Sequence, residues 1–146
     1  MTERRIGVAG VWGLGMVLAF AFALTAPERA VAADQTQFTA IETSIDSAIG
    51  AFTANSSALG GKGSGFVNNL NSAKSFVVTA ATNDASGNKK KASSFLRKAG
   101  KKVNSIAFRL RSHSGKKKIT DQTLRTELLN QVNAIQADIN TLRKHL

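Results

Sequence analysis

Four runs of apolar residues, each repeating at intervals of three and four, restrict this chain more than any other feature of its 146 residues. Phe38, Ile41, Ile45, Ala48, Ile49, Phe52 and Leu59 share one face of a helix with 3.6 residues per turn. Gly60, Gly61, Gly63 and Gly65 close that run. Phe66, Leu70, Ala73, Val77 and Ala80 form the second, which ends in the polar stretch 83–88. Ala92, Leu96, Ala99, Val103, Ile106 and Leu110 form the third, closed by Ser112-His113-Ser114-Gly115. The fourth holds Leu124, Leu128, Val132, Ile135, Ile139, Leu142 and Leu146, with Thr120 placed to cap its first turn.

These runs predict helices over about 35–59, 64–83, 88–111 and 120–146. Their similar lengths and short connections favour antiparallel neighbours. The fold class is therefore all-α: an up-down-up-down four-helix bundle spanning 34–146, coiled-coil-like in its stripes. Ile45, Phe52, Leu70, Val77, Leu96, Val103, Leu128, Ile135 and Leu142 are its expected core. Strict alternation, the mark of a half-buried strand, nowhere lasts more than a few residues. Phe76, Val78 and Val67 give the second helix more apolar surface than one bundle face needs. That excess suits either deep burial or a self-association or lipid-facing surface.

Residues 1–33 read as an address rather than as part of the bundle. Arg4 and Arg5 precede an uncharged segment from Ile6 to Pro27, and Ala30-Val31-Ala32 supplies a small-x-small cleavage pattern. A secretory signal peptide cut after Ala32 or Ala33 is expected. An uncleaved membrane anchor is the competing reading, because the 21 uncharged residues from Ile6 to Ala26 can span about 30 Å. Either way the protein is exported, periplasmic or extracellular. The chain has no Cys, which suits a bacterial envelope protein better than a disulfide-built secreted domain. Amino-terminal sequencing of the protein from its native host should begin at Ala33 or Asp34. An intact Met1 in a membrane fraction would place it in the anchored class instead.

Charge is concentrated in one part of the chain. The formal net charge is +11, from 20 Lys and Arg against 9 Asp and Glu. Residues 34–61 contain Asp34, Glu42 and Asp46 and no base, whereas 121–146 is neutral. Residues 85–120 contain twelve bases and no acid: Lys89, Lys90, Lys91, Arg97, Lys98, Lys101, Lys102, Arg109, Arg111, Lys116, Lys117 and Lys118. If Leu96 and Val103 face the core, Lys90, Arg97 and Lys101 point away from it, and Lys98, Lys102 and Arg109 line one flank. Phe108 lies about 160° from the apolar stripe, among the outward cations. There it can stack on an exposed base or wedge into lipid. A helix that ended before Phe108 would tuck the ring away instead.

Chemistry-bearing clusters are scarce. Gly60-Gly61-Lys62-Gly63-Ser64-Gly65 lacks the spacing of a phosphate-binding loop and follows a helix rather than a strand. Glu42 and Asp46 are one turn apart, with no third ligand at a completing distance, so no metal site is expected. His113 has a serine on each side and no nearby acid for a triad. His145 lies at the carboxyl end, where an imidazolium would merely complement the helix dipole.

The sequence therefore predicts a non-enzymatic, cofactor-free, basic exported protein. Its twelve bases bind anionic polymers, nucleic acid or acidic polysaccharide, without sequence preference. Two alternatives stand beside this. The protein associates with an anionic membrane surface, or it self-assembles as a structural envelope protein, through helix two or between acidic helix one and basic helix three.

Overall fold

The computed structural model describes residues 25–146, with side chains from Gln35 onward. Residues 1–24 of the expected signal, with its paired arginines and most of its apolar segment, lie outside the described residues. The elements are α1 (Thr25–Ala54), a 3-10 turn (Ser56–Leu59), α2 (Gly63–Ala85), α3 (Lys89–Arg111), α4 (His113–Lys118) and α5 (Gln122–His145). Among the described residues there is no strand, and no helix is long and apolar enough to cross a membrane.

The helices pack as a bundle in which α1 meets α2 and α5, and α3 meets the same two, so α1 and α3 occupy opposite corners. All nine expected core residues are buried, Ile45, Phe52, Leu70, Val77, Leu96 and Val103 completely. Burying a side chain of this size contributes about 1.5–3 kcal/mol. The interface between α2 and α3 is the most extensive. Ala73, Ala80, Ala92 and Ala99, all fully buried, keep the side chains short there and let two backbones approach closely. Phe52 and Phe66 pack with ring centroids 5.4 Å apart and planes tilted by 60°, at the end of the core under the glycine-rich corner.

Several boundaries differ from the sequence reading. Helix one is already helical at Thr25, the first described residue, rather than from 35, and Pro27 lies within it. Helix one also stops at Ala54, and the chain continues through the 3-10 turn that carries Leu59 into the core. Gly60 then turns the chain at φ +57°, and a Cβ there would lie 2.8 Å from the Lys118 carbonyl oxygen. Asp121, not Thr120, caps α5: its carboxylate accepts the Leu124 N–H at 2.9 Å, while Thr120 is exposed. Aspartate is both a good cap and a favourable charge at the positive end of a helix.

The expected turn at 112–115 opens a further helix. Ser112 takes extended dihedrals and ends α3. Its Oγ accepts the Gly115 N–H at 3.1 Å, and its hydroxyl donates to the Arg109 carbonyl at 2.8 Å. Ile119, fully buried, then pins the end of α4 to the core. Lys116, Lys117 and Lys118 thus stand on a helix anchored at both ends rather than on a loop.

Candidate anion-binding surface

On α3 the core face is Ala92, Leu96, Ala99, Val103, Ile106 and Leu110, all fully buried. The helical period then sends Lys90, Arg97 and Lys101 outward, and all three are exposed. Phe108 stands on that same stripe and is 72% exposed. The helix continues to Arg111, so the ring is not tucked against a loop. With 23 residues, α3 makes a ridge about 35 Å long.

The two flanks of the ridge are held by different neighbours. On the α2 side, Phe95 packs on Phe76 with centroids 6.2 Å apart, and the Lys98 ammonium lies 4.7 Å from the Phe95 ring centre. This contact contributes about 0.5–1 kcal/mol at a surface and fixes where the charge sits. Lys102, half-buried, and Arg109 complete this flank, the Arg109 guanidinium running along the first turn of α2 beside Gly65. On the other side, Arg111 donates to the Asn133 side-chain oxygen on α5 at 2.7 Å. Phe76 and Val67 are half-buried, which leaves Val78, 43% exposed, as the outward part of the apolar excess of helix two.

Beyond Arg111 the positive surface turns onto the end of the bundle. A Cβ at Gly115 would run into the Arg109 carbonyl, so α4 is folded tightly on the last turn of α3. The Lys118 backbone abuts Gly60, and the Lys62 ammonium reaches the Ser114 hydroxyl at 3.4 Å. Lys62 therefore joins Arg109 and Lys116–Lys118 in a basic corner. Sequence reasoning missed it because 52 positions separate Lys62 from Ser114, and a lone lysine among glycines carries no periodic signal.

The electrostatic arrangement is unbalanced. An ion pair links Lys74 to Asp46 at 2.6 Å, away from the ridge. Lys89 aside, none of the twelve bases pairs with a described acid. Lys89, Lys90 and Lys91 occupy the first turn of α3, where no acid accompanies them and the helix dipole is positive. Cations there oppose the dipole by about 0.3–1 kcal/mol each. Arg109 and Arg111, in the last turn, have the favourable sign. Fold stability does not account for Lys90 and Lys91 at the amino end of the ridge.

The remaining motifs have structural roles. Asp46 is engaged by Lys74, and no group of three or more metal-ligating side chains occurs among the described residues. Ser112 is committed to capping α4, and Ser114 lies against Lys62. Comparison with protein-family models, curated proteins and solved structures finds no match to this chain.

Proposed function

We propose that this is an exported, non-enzymatic helical protein whose α3 ridge and adjoining α4 corner bind anionic polymers through charge, with little sequence preference. The observation that carries the reading is the set of twelve bases over 85–120, with no acid among them and, among the described residues, no compensating ion pair along the outward stripe. Such a surface releases counterions from a polyanion and repels copies of itself. Cofactor chemistry plays no part in the proposal. The bundle is read as up-down-up-down, supported by contacts that pair Gln35 with Ala81, Asp46 with Lys74 and Phe52 with Phe66 between α1 and α2. This topology sets α3 with its outer face turned away from α1, the most acidic helix.

An anionic membrane is the second reading, favoured by the exposure of Phe108. It gains little else from α3, because the apolar face of that helix is the bundle core. Self-assembly between acidic α1 and basic α3 would use the same outward cations. The test is parallel binding of the purified mature protein to heparin, DNA and vesicles rich in phosphatidylglycerol. Comparable low-salt affinity for heparin and DNA is expected, against weaker binding to vesicles. Vesicles winning, or binding to none of the three alongside sedimentation as an oligomer, would displace the polymer reading in favour of one alternative.

A further inference from the structure

Resting on that reading, we infer that the polymer suited to this surface is a single-stranded nucleic acid, with Phe108 as the platform on which an unpaired base stacks. The ring is not at the margin of the cationic surface but inside it. Lys101 stands two turns before Phe108 on the same stripe, about 10.5 Å along the axis. Arg109 and the α4 lysines lie beyond it. A backbone that contacts Arg97 and Lys101 on one side and Lys116–Lys118 on the other crosses Phe108 on the way. Arg111, the nearest cation toward α5, is drawn aside by its 2.7 Å bond to Asn133. That leaves the ring face open, at 72% exposure.

Three ligand classes respond differently to a bare ring set among cations. A single strand can place phosphates on the lysines and turn a base onto the ring. Such stacking is tolerant of sequence and adds to the ionic contacts. A duplex keeps its bases stacked inside and offers the ring nothing without unpairing. A densely charged polysaccharide draws its affinity from the cations alone. Lipid is disfavoured by burial: Leu96, Val103 and Leu110 are fully buried, so without opening the bundle one ring is all that α3 can insert.

The experiment compares oligothymidylate with heparin on the mature protein that remains after signal cleavage, which has no Trp, and on its Phe108→Ala and Phe108→Trp variants. Circular dichroism shows whether the variants keep their helix content, which an exposed position should preserve. Phe108→Ala is expected to weaken oligothymidylate about tenfold and heparin less than twofold. Its salt slope should match that of the parent, since no phosphate contact is lost. Phe108→Trp should restore the affinity, and the introduced indole should be quenched by the oligonucleotide. Equal losses on both polymers, or no loss on either, would overturn the inference while leaving general polyanion binding in place. A Phe108-dependent interaction with phosphatidylglycerol vesicles but not with oligothymidylate would overturn it too, and would move the ring into lipid. Failure of both polymers to bind even at low salt would remove the underlying reading as well.

Discussion

Phe66→Ala is expected to destabilise the bundle by about 3–5 kcal/mol, measured by denaturant unfolding of the full-length chain. Phe66 is fully buried, and its ring packs on Phe52 at 5.4 Å. Removing it takes away the apolar contacts of an aromatic side chain and leaves a cavity between the start of α2 and the end of α1. The surroundings are poorly placed to collapse into that space. The Gly60 backbone is held against Lys118, and Gly63 is held against Ser56, where a Cβ would come within 3.0 Å. A domain of this size has only about 5–15 kcal/mol of total stability, so the loss should be visible as a large drop in the unfolding midpoint. A change below about 1 kcal/mol would mean that this end of the core is not packed as described.

The second large effect concerns binding, and its sign is opposite to that on stability. Lys90→Gln, Arg97→Gln and Lys101→Gln together remove three outward charges. None of these side chains forms an ion pair, cation–π contact or side-chain hydrogen bond within the described structure. With single-stranded DNA, losing three phosphate contacts should reduce affinity about 50-fold at 0.15 M salt and make the salt slope shallower by about 2. The same triple variant should unfold no earlier than the parent, and somewhat later at low salt. Repulsion along the ridge is reduced, and at Lys90 a charge opposing the helix dipole is gone. Parallel loss of affinity and stability would instead mean that these side chains hold the fold together.

The fold was legible wherever a periodic apolar stripe set the burial. The spacing of Leu96, Val103 and Leu110 fixes which way α3 faces, and with it the outward placement of Arg97, Lys101 and Phe108. Local chemistry misled where two candidates stood side by side. Thr120 and Asp121 are both capable caps, and the choice depends on where Ile119 is buried, which is a tertiary matter. Ile119 itself has no periodic partner, standing alone between three lysines and a polar pair, so neither its burial nor the helix it anchors could be read locally. The basic corner was hidden for the same reason. Lys62 reaches Ser114 because Gly60 lets its turn lie against Lys118 without a Cβ between them, while Gly115 lets α4 fold back on the last turn of α3. Part of the excess apolar surface of helix two, Phe76, finds its cover on Phe95 of α3, with the Lys98 ammonium 5.9 Å from the Phe76 ring centre.

The central claim is that α3 and α4 form an ionic surface for extended anions, and the salt dependence of binding tests it most directly. Affinity of the full-length protein for single-stranded DNA should be measured across roughly 50–300 mM salt. If about eight of the ridge and corner bases contact phosphates, log K should fall linearly with log salt with a slope of about −5 to −6. Affinity that barely changes across this range, or no measurable binding at its lowest salt, would contradict the account.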